Sequence, residues 1–288
     1  MTPARTASII IRTKNEEKGL AGTLDGVFSQ SIPPHEVIIV DSGSVDRTLE
    51  IARCYPVRVV HVPVEQWGYG RAINVGAAVA TGEILVCLSA HCPAINRSWL
   101  ANLLCHFGDP TVAAVWGPGI RPGRPLHPPQ PPSRQEPGSY NVHNRLWGLS
   151  NGNSALRRSL WQEFPFDETL PAAEDKAWGR EAMSRGYSIV HDPAAAVTHD
   201  RHRVSDAFRR HRAINEGFAM MFPEARLSRS VVLANVLRAG WRWLGRHASS
   251  RDRQALLHDV RRVPSTIAAI IGSLTARRSL PRRARRRW

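Results

Sequence analysis

The sequence predicts an α/β protein: a mostly parallel, doubly wound sheet with helices on both faces, followed by a helical, basic extension. Three observations predict it. Short apolar runs alternate with helical patterns, giving strand, helix, strand, helix, strand within about the first sixty residues. The run Val37 to Val40 is apolar throughout, as in a strand buried on both faces, and it ends at once in Asp41, Ser42, Gly43 and Ser44. Acidic and small polar residues at the C-terminal end of such a strand lie where open α/β sheets bind ligands. Charge then divides the chain. Residues 201–288 hold 21 arginines and no lysine against five acids, so they carry +16 of a total of +15, and residues 1–200 carry −1.

The elements read in order as follows. Ser8 to Ile11 is a β-branched strand, and Asn15 is placed to cap the helix after it, with Glu16 and Glu17 in its first turn. Gly19 to Ser29 is weakly helical, and Pro33 and Pro34 break it. After the strand ending at Asp41, Asp46, Arg47 and Thr48 open a helix through Arg53, and Val57 to Val62 is a third strand. Gly68-Tyr69-Gly70-Arg71 is a turn before a small-residue helix, Ala72 to Ala80, which Gly82 ends. Ile84 to Leu88 is a buried strand with Ser89-Ala90-His91 at its end. Trp99 to Phe107 is helical, and Val112 to Trp116 is a strand. Gly117 to Gly138 has eight prolines and no periodicity, so it reads as a loop. Ser159 to Phe164 and Glu174 to Arg185 are helical, Tyr187 to His191 is a strand, and Ala194 to His199 is expected to be another. In the extension Leu233, Val236, Leu237, Trp241 and Leu244 share a helical face, and the Arg-rich end is expected to be disordered.

Composition excludes some classes. No apolar stretch reaches the ~20 residues of a membrane span, and the first apolar run is too short for a signal peptide, so a cytoplasmic protein is expected. The four cysteines show no paired zinc spacing, and free thiols are the default. The basic extension favours anionic surfaces, so peripheral contact with the inner face of an anionic membrane is one expectation, and packing of its apolar face on the preceding domain is the other. No aromatic-interleaved basic module is present, so nucleic acid is not an expected partner.

Single motifs admit plain structural readings. Glu174 and Asp175 suit any first helical turn. Asn151 and Asn153 suit a turn. Trp147, Trp161 and Trp178 suit a core, and His61, His106, His127 and His143 have no partner visible in the sequence.

Taken together the motifs resemble those of the inverting nucleotide-sugar glycosyltransferases of family 2, which have the GT-A fold. IIIRTKNEE stands where the first strand and nucleotide loop belong, and EVIIVDSGSVDRT matches the second-strand motif. GRAINVGAAVATGEILVCLSA matches the stretch before the metal motif, and SNGNSALRRSLW and AEDKAWGREAMSRGY resemble the acceptor-side segment and the acid pair. Five pieces in the family's order cover about residues 7–200. The resemblance therefore implies a GT-A-like catalytic domain over 1–200 and an extension over 201–288.

What the resemblance implies for residues is specific. Asp41 accepts a hydrogen bond from the nucleotide base. Arg12, Lys14, Asn15, Glu16, Ser42, Gly43, Gly70, Arg71, Ser89 and His91 fall in the nucleotide-sugar site. Arg12 and Lys14 stand where the family more often has Pro or Thr and Tyr. Asn151 and Asn153 lie on the acceptor side. Asp175, beside Glu174, is the general base that takes the acceptor hydroxyl's proton. The expected reaction moves a hexose or deoxyhexose from a nucleotide-diphosphate sugar to a glycan, lipid-linked or small-molecule acceptor, with inversion, in glycan or natural-product biosynthesis.

One departure stands out. The family usually ends its fourth strand in Asp-x-Asp, which holds Mg²⁺ or Mn²⁺ under the diphosphate; here both carboxylates are absent. Polypeptide N-acetylgalactosaminyltransferases use Asp-x-His, so one reading has His91 bind a divalent cation, with His199 as a second ligand. The other has His91 hydrogen-bond the phosphate with no metal. The lost carboxylates also motivate a non-catalytic reading, a nucleotide-sugar-binding or scaffold protein.

Overall fold

The computed structural model describes residues 5–122, 130–139 and 148–199, with single positions between 213 and 221. One compact unit takes the chain through residue 169 and again from 174 to 201, and the sheet and the site belong to it. The extension's expected helix at 228–247 and its basic end lie outside the described residues. Only short helical pieces within 213–221 are described there.

Among the described residues the central sheet has eight strands. Strands β1 (Ala7–Thr13), β2 (Glu36–Asp41), β3 (Arg58–His61) and β4 (Ile84–Ser89) run parallel, in the spatial order β3-β2-β1-β4. β5 (Val112–Trp116) and β9 (Ser188–His191) are also parallel to each other. Between the two groups lies β8 (Asn153–Arg157), antiparallel to both β4 and β5. Its entry, Asn153, therefore sits at the same edge of the sheet as the ends of β1, β2 and β4. A small separate pair joins β6 (Gly119–Ile120) to β10 (Val197–Thr198).

Period-two alternation sorts the strand side chains onto two cores. Ile9, Ile11, Val37, Ile39 and Val86 face one side, with Leu20, Leu24 and Val27 of α1 (Leu20–Phe28) and with Trp99 and Leu103 of α4 (Trp99–Leu104). Ile10, Ile38, Val40 and Leu85 face the other, with Ile73 and Ala77 of α3 (Tyr69–Val79) and with Trp178 and Met183 of α6 (Glu174–Ser184). Both faces are covered, so these strands read as continuous apolar runs, and burying each such side chain contributes ~1.5–3 kcal/mol. The remaining helices are α2 (Thr48–Ala52) and α5 (Arg158–Glu163).

Several expectations need correction. Asn15 does not cap α1; that helix starts at Leu20 with Gly19 at its N-cap and no side-chain cap, and Asn15, at φ 56°, turns toward the loop after β2. The helix expected from Ala72 begins at Tyr69, because extended Gly68 ends the preceding segment. The helix from Trp99 ends at Leu104 and tightens into a 3-10 turn, Cys105–Gly108. The strand expected over Ala194 to His199 is only the two residues of β10.

The proline-rich loop holds β6 and, at the sheet's edge, β7 (Ser133–Gln135), antiparallel to β9. Polar contacts fasten β7: Arg134 donates to Asp109 at 2.6 Å and to Thr111 at 2.6 Å. Hydrophobic periodicity carries no signal for such an edge.

Gly76 makes the closest approach of helix to sheet. A Cβ there would lie 2.6 Å from Ile10 Cγ2 and 2.8 Å from Val40 Cγ2. Helix propensity alone would make Gly76→Ala stabilising by about 1 kcal/mol, but overpacking two branched, buried side chains costs ~1–3 kcal/mol. Gly76→Ala should therefore be less stable, by up to about 2 kcal/mol, read as a lower urea midpoint at unchanged slope. A midpoint at or above wild type would contradict this packing.

Candidate active site

The parallel register sets Thr13 beside Asp41 at the carboxyl edge of the sheet. Asp41 is buried, with 1% exposure, and both carboxylate oxygens accept hydrogen bonds. Oδ2 accepts the N–H of Gly43 and of Ser44, both at 3.0 Å, while Oδ1 accepts from Thr13 Oγ1 at 3.2 Å and from the Ser44 hydroxyl. Gly43, at φ 79°, supplies the left-handed backbone that lets the chain fold back onto the acid. His61 Nδ1 lies 3.8 Å from Asp41 Oδ2, a partner that the sequence did not reveal.

The loop after β1 is stitched to this turn. Asn15 N–H donates to Ser44 Oγ at 2.9 Å, Asn15 Oδ1 accepts from Val45 N–H at 2.9 Å, and Glu16 N–H donates to Thr48 Oγ1 at 2.7 Å. Asn15, Glu16, Asp41, Ser42 and Gly43 thus form one connected wall. Ser42 Oγ is buried with no hydrogen-bond partner among the described residues. Lys14 is exposed.

The expected cations are engaged by carboxylates. Arg12 Nη1 lies 3.6 Å from Glu174 Oε1 and donates to Tyr69 O at 3.4 Å, and its guanidinium sits 5.3 Å from the centre of the Tyr69 ring. Arg71 donates to Glu168 at 3.1 Å and to Gln66 at 2.7 Å and keeps 40% side-chain exposure. Gly70 has a packing reason: a Cβ there would stand 2.9 Å from Asp167 O.

The acid pair opens α6. Asn151, 1% exposed, holds both members: its N–H donates to Asp175 Oδ2 at 3.1 Å and its Nδ2 to Glu174 Oε1 at 3.2 Å. Asp175 Oδ1 accepts from Lys176 N–H at 2.8 Å. Asp175 is half-buried and Glu174 is buried. Burial drives the Glu174 pKa up, the neighbouring Asp175 charge adds to this, and Arg12 opposes it. The Lys176 ammonium lies 5.6 Å from the centre of the Trp116 ring, and burial lowers its pKa. Asn153 is placed differently from Asn151. It is 3% exposed, accepts from Trp99 Nε1 at 2.8 Å and donates to Ala195 O at 2.7 Å, so its amide ties β8 to the segment before β10.

At the end of β4, Ser89 N–H donates to Gly152 O at 3.1 Å, and His91 Nδ1 lies 3.0 Å from Glu16 Oε1. The His91 and His199 rings approach with centroids 5.3 Å apart. His199 is set there by the β6–β10 pair, against Gly119, where a Cβ would lie 2.9 Å from His199 Cβ. Nitrogens of both rings and the Cys92 sulfur lie within 4.8 Å of one another. A donor set of two imidazoles and a thiol fits a divalent cation. The sequence pointed to both histidines; Cys92, read as a free thiol, was missed, although it adjoins His91. A second cluster of three donors, Cys105, His106 and Asp192, also comes together, with His106 Nε2 at 2.7 Å from Asp192 Oδ2.

A mixed sheet with acids, amides and paired loops along its carboxyl edge defines a nucleotide-sugar transferase architecture of the GT-A type. The model for glycosyl transferase family 2 matches residues 8–164, more than half of the chain, and the chain belongs to that family. Among solved structures, it is similar to a mannosyltransferase of Pyrobaculum calidifontis in complex with GDP-Man and Mn²⁺, with TM-score 0.64, 22% identity, and coverage of 95% of this chain and 87% of that one. It is also similar to glucosyl-3-phosphoglycerate synthase of Mycobacterium tuberculosis in complex with Mn²⁺, UDP and phosphoglyceric acid, with TM-score 0.58, 21% identity, and coverage of 76% and 78%. Among curated relatives, the O-antigen chain rhamnosyltransferase RfbN of Salmonella typhimurium is 24% identical over 210 residues, 67% of this chain and 65% of that protein. Glycosyltransferase AglE of Haloferax volcanii is 24% identical over 273 residues, 90% and 86%. The chain thus spans just under two thirds of the length of RfbN and most of the length of AglE. Among the described residues no helix is long and apolar enough to cross a membrane.

The buried acid gives a prediction in pH. The Glu174 pKa is raised from 4.5 to about 7, so between those values the folded state keeps a proton that the unfolded state releases. Stability should fall as pH rises through that window. Glu174→Gln removes the titration and retains the shape. The stability difference between variant and wild type should move in the variant's favour, by on the order of 1–3 kcal/mol, from pH 5 to pH 8. Denaturant melts at the two pH values measure it, and a difference independent of pH would refute the buried-acid account.

Proposed function

We propose that the protein transfers a sugar from a nucleotide-diphosphate sugar to an acceptor hydroxyl, with inversion at the anomeric carbon, and that Asp175 is the general base. The observation that carries the reading is Asn151. It holds Asp175 and Glu174 together at the start of α6, at the sheet edge that also bears the nucleotide wall. One carboxylate accepting the acceptor's proton while the oxygen attacks fits a single displacement. Glu174, buried and paired with Arg12, shares Asn151 with that carboxylate.

The wall formed by residues 12–16 and 41–44 is the proposed nucleotide site. Arg71, the more exposed of the two site arginines, offers charge to the leaving diphosphate when it exchanges Glu168 for a phosphate. Ser89 and His91 lie under the same group. A divalent cation would be held by His91 and His199, and it would supply charge to stabilise the leaving diphosphate. The family and the two rhamnosyl- and mannosyl-transferring relatives support a hexosyl or deoxyhexosyl donor. The O-antigen chain relative supports a glycan acceptor, and a lipid-linked or small-molecule acceptor is the wider reading. Contact of the 201–288 extension with an anionic membrane rests on its charge of +16. The alternative, a binding or scaffold protein, is favoured by Ser89-Ala90-His91 in place of paired carboxylates. Sugar transfer or donor hydrolysis with a panel of nucleotide sugars separates them, since a scaffold turns over none.

Two variants test the assignments. Asp175→Asn should lower turnover about 10²-fold or more, within the ~10²–10⁴ that general base catalysis supplies, and leave nucleotide affinity nearly unchanged. Near-full turnover would move the role to Glu174. Asp41→Ala removes the acceptor around which the wall folds. It should weaken nucleoside diphosphate binding, read by calorimetry, by ~1.5–3 kcal/mol. Unchanged binding would remove Asp41 from base recognition and leave it only the loop.

A further inference from the structure

We infer that Cys92 joins His91 and His199 as a metal ligand, so that this site takes a borderline divalent cation such as Zn²⁺ or Co²⁺ in preference to Mn²⁺ or Mg²⁺. The inference rests on the proposed transferase site and specifies its metal. Three observations carry it. First, nitrogens of His91 and His199 and the sulfur of Cys92 gather within 4.8 Å, although residues 91–92 and 199 come from distant parts of the chain. Second, His91 Nδ1 pairs with Glu16 Oε1 at 3.0 Å. An imidazole that donates Nδ1–H to a carboxylate presents the Nε2 lone pair, and carboxylate-backed histidines recur at metal centres because the carboxylate fixes the ring and raises its basicity. Third, the position is chemically exchanged. The end of β4 carries Ser89, Ala90 and His91, so the hard oxygen donors that suit Mg²⁺ and Mn²⁺ are missing where the family usually has them.

Donor chemistry then decides the cation. Mn²⁺ and Mg²⁺ favour carboxylate, carbonyl and water oxygen, whereas two imidazoles and a thiolate suit Zn²⁺ and Co²⁺, which also stand above Mn²⁺ in intrinsic affinity. Cys92 is buried, with 1% exposure, and a buried thiol by itself is an ordinary small core side chain. What distinguishes Cys92 is its place beside His91, in a turn closed by Cys92 N–H donating to Ser89 O at 3.1 Å. On binding, the Cys92 thiol gives its proton to solvent, and the thiolate sulfur donates an electron pair to the cation. Three protein ligands leave a fourth position for a diphosphate oxygen. Glu16 stands behind His91 as a positioning residue, and this connects the metal to the loop stitched to Asp41.

Cobalt reports the ligands directly. The full-length protein, stripped with chelator, is titrated with Co²⁺ and followed by absorption. A thiolate-to-cobalt charge-transfer band saturating at one equivalent is expected. It should vanish in Cys92→Ala and persist in Cys105→Ser, which controls for the separate cluster of Cys105, His106 and Asp192. Glu16→Gln, at a half-buried position and preserving shape, should weaken Co²⁺ binding about 10–100-fold and leave the band's position unchanged. Competition should rank Zn²⁺ and Co²⁺ at least 10-fold above Mn²⁺. Cobalt bound without a thiolate band, a band that follows Cys105, or Mn²⁺ binding as tightly as Zn²⁺ would each overturn the inference. If Cys92→Ala fails to fold, the band in wild type with Cys105→Ser, and its loss in His199→Ala, still decide the matter. Binding of UDP, GDP and dTDP to the metal-free protein is measured in parallel. Nucleotide binding without the band refutes the metal assignment and leaves the transferase reading standing. The band without nucleotide binding or transfer refutes that reading instead.

Discussion

The Asp41 carboxylate is the constraint from which the site follows. A carboxyl group at 1% exposure is tolerable only when its oxygens are hydrogen-bonded. Thr13, Gly43 and Ser44 bond them, and each donor fixes a different piece of chain. Thr13 ends β1. Gly43 and Ser44 turn the chain away from β2. Ser44 in turn accepts from Asn15, so the loop after β1 is set by the same acid. Glu16 leaves that loop to meet His91 at the end of β4. Three strand ends are thereby held in one arrangement by side chains rather than by the sheet alone. Whatever binds at this edge meets a surface already organised, and preorganisation lowers the cost of binding.

The other half of the site is organised by neutral amides. Asn151 holds Glu174 and Asp175, and Asn153 holds Trp99 and the carbonyl of Ala195. Both lie at the entry of β8, the strand that runs against its neighbours. Reversing that strand brings its first residues to the edge where the parallel strands end. A purely parallel sheet would have put the same residues at the far edge. The antiparallel strand is therefore what brings the start of β8, rather than its end, to the edge where β1, β2 and β4 end.

Much of this was legible in the sequence. The apolar runs at Ile9, Val37 and Ile84 gave the buried strands, because both faces of the sheet are covered. The abrupt change from Val40 to Asp41 marked the carboxyl edge of the sheet. The acid pair at 174–175 and the histidines at 91 and 199 were visible as motifs. The partners were not. That Arg12 faces Glu174, that Arg71 faces Glu168, and that Cys92 approaches His199 depend on contacts between residues far apart in the chain, and local periodicity does not encode these. Asn15 misled for a similar reason. Locally it suits a helix cap, but the long-range bond to Val45 claims its oxygen. β7 was hidden because ion pairs and backbone pairing, not alternating hydrophobicity, hold it.

That edge strand has a consequence for how the protein behaves in concentrated solution. A sheet's outermost strand offers a row of free backbone donors and acceptors to any neighbouring molecule. Among the described residues the outermost strand on one side is three residues long, with Pro131 and Pro132 just before it and Pro137 just after. Proline cannot donate to a ladder, and the arginine at the strand's centre is committed to Asp109 and Glu136. A three-residue strand bounded by prolines is a short template for extending the sheet. The same proline content that made the stretch look like an unstructured loop guards the sheet on that side against polymerisation.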